Sequence, residues 1–186
     1  MTSAPAQPAA TPLRIGLAGL GTVGASVLRI LHRQENALSE RCGRAIRVTA
    51  VSARDRTRDR GVDLGGLSWF DDPVALARSP EIDCLVELVG GSDGPAKAAV
   101  EAALAAGKPV VTANKALLSR HGVELAKIAE AKSRLLNYEA AVAGGIPVIK
   151  TLRESLTGNN FTRIYGIMNG TCNYILTRME REGLSF

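Results

Sequence analysis

The stretch Leu13-Arg14-Ile15-Gly16-Leu17-Ala18-Gly19-Leu20-Gly21-Thr22-Val23-Gly24 decides the fold. A short apolar run after Pro12 passes directly into Gly-x-Gly-x-x-Gly, and apolar periodicity then continues through Leu31. That order reads as strand, tight turn and helix. Gly19 permits the turn, Gly21 lets a ligand approach bare backbone N–H groups, and Gly24 lets the helix pack against the strand. Aligned peptide dipoles leave partial positive charge at such a helix start, which suits a pyrophosphate. The spacing alone is a weak signal, but its place between a strand and a helix makes dinucleotide binding the expectation. The plain alternative is a glycine-rich turn in an unrelated α/β protein.

The rest of the chain repeats this grammar. Ile46–Val51 reads as a second strand ending in Ser52-Ala53-Arg54, and residues 54–66 as a polar, basic loop with Gly61, Gly65 and Gly66 as breakers. Asp72-Pro73 marks the start of a short helix to Arg78. Ile82–Val89 is a strand buried on both faces, followed by a helix over 96–106 that stops at Gly107. Pro109–Ala113 is the next strand, Asn114-Lys115 its trailing loop, and a helix follows over 122–133. Strand–helix alternation over 13–133 predicts a doubly wound parallel sheet. Beyond it, 135–142 reads as a strand, 146–156 as a helix, 161–168 as a strand and 171–181 as a helix. The expected organisation is a disordered tail over 1–12, a dinucleotide-binding domain over 13–138, and the start of an α+β unit over 139–186.

With 186 residues, 46% hydrophobic and 22% charged, the chain has the composition of a globular protein with an aliphatic core. His32 and His121 are its only histidines, which disfavours a histidine metal cluster or a serine–histidine triad. Cys42, Cys84 and Cys172 form no CxxC pair, so reduced thiols and a cytoplasmic location are expected. No apolar run approaches the roughly eighteen residues that cross a bilayer, and no membrane partner is expected.

The formal charge of +5 is local: residues 29–60 hold nine arginines against four acids, and the remaining charges balance. No aromatic residue interrupts that stretch, so it lacks the stacking platforms of a single-strand nucleic-acid surface. An NAD-type fold places an acid at the end of its second strand to hold the ribose 2′-OH. Here Arg54 stands first, with Arg56, Arg58 and Arg60 beyond it, which favours a 2′-phosphate and hence NADP(H) over NAD(H). The competing reading gives the ribose to Asp55 and turns the arginines to solvent. Hydride chemistry at a carbonyl also needs a cation or proton donor for the developing alkoxide. Lys115, past the carboxyl end of a strand and near Asn114 and Glu87, is the candidate.

Five segments together resemble homoserine dehydrogenase: Gly19–Gly24, Glu87–Gly91, Val110–Leu118, Tyr138–Pro147 and Met168–Leu176. The glycine loop is generic, whereas VVTANK, EAAVAGGIP and NGTCNYIL are specific in combination. The resemblance implies NAD(P)-dependent interconversion of L-homoserine and L-aspartate 4-semialdehyde, in the route to threonine and methionine. It assigns Gly19, Gly21, Thr22, Val23, Gly24, Arg54, Gly91, Ser92 and Lys115 to the cofactor, with Lys115 also toward substrate. It assigns a monovalent cation, usually sodium, to the segment holding Glu139, Val142, Gly144 and Ile146, chiefly through carbonyl oxygens. The family's substrate-binding acids, its principal catalytic lysine and most of its dimer interface lie beyond the NGTCNYIL helix. The 186 residues alone are therefore expected to bind cofactor with little or no turnover, and the full-length protein to be a homodimer.

Two alternatives stand beside this reading. One is a semialdehyde dehydrogenase acting through a thioester at Cys172, at a predicted helix N-terminus that favours a thiolate. The other is a non-catalytic cofactor-sensing or nucleic-acid-binding module built on the basic stretch.

Overall fold

The computed structural model describes residues 10–166 and 169–185. Its centre is a six-stranded, wholly parallel sheet in the order β3-β2-β1-β4-β5-β6. The strands are β1 (Leu13–Ala18), β2 (Ile46–Ser52), β3 (Ser68–Phe70), β4 (Cys84–Glu87), β5 (Val110–Thr112) and β6 (Leu136–Asn137). The helices are α1 (Thr22–Arg33), α2 (Glu35–Cys42), α3 (Pro73–Arg78), α4 (Pro95–Ala105), α5 (Lys115–Ala131), α6 (Val148–Lys150) and α7 (Gly170–Glu182). This is the doubly wound fold expected from the strand–helix alternation. Its order reverses between β1 and β4, where ligands enter such sheets.

Successive strand residues face opposite sides of a sheet, so each strand feeds two cores. Ala18, Ala50, Leu85 and Val110 pack with Leu76, Val100, Leu104, Leu117 and Leu125 of α3, α4 and α5. Leu17 and Val51 face the other way, against Leu20, Val27 and Leu28 of the α1 region and Leu64, Leu67 and Trp69. The wide use of alanine in α4 brings that helix close: a fully buried row of Ala96, Ala99 and Ala103 lies against the sheet layer. Gly16 serves the same end inside β1, because a Cβ there would stand 2.6 Å from the Ile82 side chain.

Several expectations need correction. The helix read over 122–133 starts seven residues earlier, at Lys115, because the Asn114 side chain accepts from Leu117 N and caps it. Asn114-Lys115 is therefore a cap and first turn rather than a loop. The strand read over 135–142 is only Leu136–Asn137, and Glu139–Ala141 coils into a 3₁₀ turn. The helix over 146–156 is a short α6 followed by a wider π turn, Thr151–Ser155. No strand forms over 161–166, and positions 167 and 168 of that predicted strand lie outside the described residues. Of the predicted tail, residues 1–9 also lie outside them. α2 and β3 were not foreseen: α2 has no buried residue to create an apolar stripe, and β3 is three residues long.

Candidate functional site

Register places the strand ends in one row. Ser52, Ala18, Glu87 and Thr112 are successive cross-strand partners, with Phe70 beside Ser52. Everything C-terminal to that row forms the ligand-facing edge, and the sequence puts glycine there repeatedly. Gly19 has φ +102°, and a Cβ on it would meet the Leu88 carbonyl oxygen at 2.5 Å. Gly24 is tighter still, its Cβ position only 2.0 Å from the Gly19 carbonyl oxygen. Gly21 differs: nothing lies within 4 Å of its Cβ position. The first two glycines are required by the fold, while the third leaves open space above the start of α1.

That start carries no side-chain cap and no acid in its first turn, so the N–H groups at Thr22 and Val23 face outward unopposed. Thr22 and Val23 are exposed and Gly24 is buried. A cleft of about 590 Å³ opens here, lined by Gly19, Leu20 and Gly21, by Ser52 to Asp55, Arg58 and Arg60, and by Asp71, Pro73, Leu88, Val89 and Pro95. Bare helix N–H groups over an open glycine, with cationic side chains one strand away, fit a dinucleotide pyrophosphate and its flanking phosphate. A second hollow of similar volume lies outside, between α1, β2 and residues 61–67, and contains neither the glycine loop nor Arg54, Arg58 and Arg60.

The arginines divide into two kinds. Arg60 is consumed by the fold: its guanidinium donates to the carbonyls of Leu20, Arg58 and Asp55 and stands 5.6 Å from the Trp69 ring centre. Arg56 stacks on the same ring at 5.9 Å. Arg54 and Arg58 line the cleft with no hydrogen bond or ion pair from their guanidinium groups among the described residues. Asp55 is committed elsewhere, its Oδ1 accepting from the Thr57 hydroxyl and amide, each at 2.8 Å, and from the Arg58 amide. Those bonds, led by the Thr57 hydroxyl, hold its carboxyl below the usual carboxylate range.

On the far side of the switch point, Glu87 is fully buried and takes the Thr112 hydroxyl at 2.5 Å, the Val89 and Gly90 amides and, at 3.5 Å, the Asn114 amide. Glu87 does stand in the strand beside β5, as expected, and there it organises the loop after β4 and the cap of α5. Lys115 is exposed at the first position of α5, makes no ion pair among the described residues, and does not line the cleft. Gly91 (φ +85°) and Ser92 lie in the loop after β4, also outside the cleft lining. Ser92 donates to Asp93 at 2.7 Å. Asp93, which sequence reasoning missed, also receives Arg120 and His121 of α5, and these donors, the Ser92 hydroxyl first, lower its pKa.

The segment assigned to a cation is turned by two left-handed residues, Ala143 (φ 60°) and Gly144 (φ 61°). The Glu139 carboxylate accepts from the Ile149 and Lys150 amides at 3.0 and 2.8 Å, and the Ile146 carbonyl accepts from Val148. Val142 is half-buried, while Gly144 and Ile146 are exposed. Among the described residues no group of three His, Cys, Asp or Glu side chains could hold a metal, so any cation there would depend on carbonyl oxygens. Cys172 is exposed near the start of α7, and its amide donates to the capping Asn169 side chain.

Sheet order, glycine loop and cleft together define a dinucleotide-binding fold of the doubly wound class. A family model described as the NAD-binding domain of homoserine dehydrogenase matches residues 19–139, and one described as homoserine dehydrogenase matches 147–186. The chain belongs to the homoserine dehydrogenase family. Homoserine dehydrogenases of Neisseria gonorrhoeae and Pseudomonas aeruginosa are each 43% identical over 175 residues, 94% of this chain and 40% of theirs. The crystal structure of a homoserine dehydrogenase from Thiobacillus denitrificans is 45% identical, with TM-score 0.83, covering 94% of this chain and 40% of that one. A hyperthermophilic archaeal homoserine dehydrogenase mutant in complex with NADPH is 25% identical, with TM-score 0.74, covering 94% and 58%. The chain thus spans about 40% of the length of the curated relatives it matches.

Proposed function

We propose that this chain is the cofactor-binding part of an enzyme that interconverts L-homoserine and L-aspartate 4-semialdehyde with NADP(H). The observation that carries the reading is the cleft itself, where the uncapped start of α1 stands over Gly21 and two uncommitted arginines line the β2 side. The amides of Thr22 and Val23 would hold the pyrophosphate. Arg54, backed by Arg58, would take the 2′-phosphate; Asp55 is the weaker rival for the ribose, since three donors hold its Oδ1 in the local turn and leave only Oδ2 for a hydroxyl. The cofactor supplies a hydride acceptor or donor. Gly91 and Ser92 would border its nicotinamide end.

Lys115 is assigned to the nicotinamide end of the cofactor and to the substrate beside it. Its ammonium, at the start of α5 on the ligand-facing edge, would stabilise charge developing on the substrate oxygen. By the resemblance to the family, we also place a monovalent cation, usually sodium, against the carbonyls of Glu139, Val142, Gly144 and Ile146. The Glu139 side chain serves first to hold the start of α6. The reading carries a small-molecule substrate, a cytoplasmic enzyme and a homodimer of the whole protein, with no part for nucleic acid.

The thioester alternative gains no support, since the Cys172 thiol is exposed near the start of α7 and makes no hydrogen bond to a basic partner among the described residues. The test is oxidation of L-homoserine with NADP⁺ by the protein that carries this chain, followed through the absorbance of reduced cofactor. Lys115→Ala is expected to lower turnover by more than it weakens NADP⁺ binding. Turnover undiminished in Lys115→Ala would remove the lysine from the chemistry.

A further inference from the structure

The loop from Val89 to Gly94 connects the switch-point strand β4 to α4, and glycine gives it unusual freedom: Gly90, Gly91 and Gly94 all have positive φ, at 83°, 85° and 69°. A chain this free must be held by specific contacts, because ordering glycine costs more backbone entropy than any other residue. Its inner half is fastened by Glu87, which accepts from the Val89 and Gly90 amides, and by Asn114, which donates to the Gly91 carbonyl. Among the described residues, the side chain that fastens its outer half is Asp93. Asp93 Oδ2 receives the Ser92 hydroxyl at 2.7 Å and Arg120 at 2.8 Å, while Oδ1 lies 2.9 Å from His121 Nε2. His121 Nδ1 in turn lies 3.5 Å from Glu124, which Lys97 also approaches.

This arrangement fixes a polarity. An ionised carboxylate can only accept hydrogen bonds, so the hydroxyl proton of Ser92 is committed to Asp93. What remains on Ser92 Oγ is acceptor capacity. A dinucleotide lying with its 2′-phosphate end at Arg54 and its pyrophosphate over Gly21 must run its other half across the switch point toward this loop. That half ends in a carboxamide whose N–H₂ is a donor.

We infer that Asp93 is a positioning residue, holding the Ser92 hydroxyl as an acceptor for the carboxamide N–H of the nicotinamide. The inference rests on the cofactor reading above and adds to it which group reads the reactive end. Arg120 and His121 act one step further out, by fastening Asp93 to α5.

The test uses the 186-residue chain and three probes: NADPH, its reduced 3-acetylpyridine analogue, which lacks the amide donor, and 2′,5′-ADP, which lacks the whole nicotinamide half. Asp93→Ala and Ser92→Ala should each weaken NADPH roughly tenfold, the scale of one hydrogen bond. Neither should change affinity for 2′,5′-ADP or the acetylpyridine analogue by more than about twofold, and Ser92→Thr should restore NADPH binding. Equal weakening of all three probes would show that Asp93 only holds the fold, and unchanged NADPH binding in both alanine variants would remove the contact; either result overturns the inference. Failure of the unsubstituted chain to bind NADPH or 2′,5′-ADP would instead overturn the cofactor reading on which it stands.

Discussion

The Asn114 side-chain amide donates to the Gly91 carbonyl at 2.7 Å, fastening the start of α5 to the glycine loop that follows β4. The same side chain caps α5 through its oxygen, accepting from Leu117 N at 3.0 Å. One residue thus ties the helix that presents Lys115 to the loop that presents Gly91 and Ser92. Beneath it, the buried Glu87 carboxylate joins both strand ends, so the two sides of the candidate nicotinamide site are mechanically one unit.

Glu87→Gln should therefore be costly although it keeps the shape. Oε1 faces the Val89 and Gly90 amides, so a Gln –NH₂ must take the Oε2 side, where the Thr112 hydroxyl can accept one hydrogen only by turning round and giving up the acceptor for its own proton. A loss of about 2 kcal/mol is expected, the scale of an unsatisfied buried donor. Denaturant unfolding at neutral pH measures it; unchanged stability would contradict the central role of this carboxylate.

The glycine loop separates fold from function at single positions. Gly24→Ala drives a Cβ into the Gly19 carbonyl oxygen and should cost about 1–3 kcal/mol, the range of overpacked sites. Gly21→Ala meets no protein atom within 4 Å, so its melting temperature should hold while NADPH affinity collapses. Thermal melts and fluorescence titration on both variants read the contrast.

The sheet was legible in the sequence because its buried strands leave mostly apolar runs, as in Leu13–Ala18 and Ile46–Val51, broken only by Arg14, Arg47 and Thr49. The glycine loop was legible from its local spacing, and Arg54 from its place just past the second strand, where it lines the cleft. What escaped depended on contacts distant in sequence. The cap that Asn114 makes on α5 is a local bond to Leu117 N, but its second bond, to the Gly91 carbonyl 23 residues away, has no local signal. Arg60 looked like its neighbours until its guanidinium folded back on Leu20. Asp93 carried no motif at all; its meaning comes from Arg120 and His121 arriving from another helix. The run over 161–166 has the composition of a strand, but its residues are exposed and find no partner strand among the described residues.

The three thiols should differ in reactivity. Burial pushes the Cys84 thiol up to about 11, whereas Cys42 and Cys172 are exposed. Alkylation of the native chain at about pH 8 should modify two cysteines, and denaturation should release the third, because the thiolate is the reactive form. Mass spectrometry counts the adducts; rapid labelling of Cys84 in the native state would contradict its placement.

Arg14 and Asp83 provide a pH test of the sheet's opposite edge. Arg14 donates to Asp83 from its guanidinium and its backbone amide, holding the carboxyl below the usual carboxylate range. A folded-state pKa below the unfolded one adds stability above the unfolded value and loses it as pH falls through the folded one. The stability difference between the wild type and Asp83→Asn should therefore be flat above about pH 5 and shrink below about pH 4. A difference that grows on acidification would contradict the pairing.

The central claim is that the cleft over Gly21 receives a dinucleotide whose 2′-phosphate is read by Arg54. Its most direct measurement is the dissociation constant of NADPH and of NADH for the 186-residue chain, at low and at physiological salt, in the wild type and in Arg54→Ala. NADPH should bind more tightly than NADH by roughly tenfold or more at low salt, the scale of a charge-assisted contact. That gap should narrow as salt screens the exposed arginine and close in Arg54→Ala. Equal affinities for the two cofactors at low salt in the wild type would contradict it.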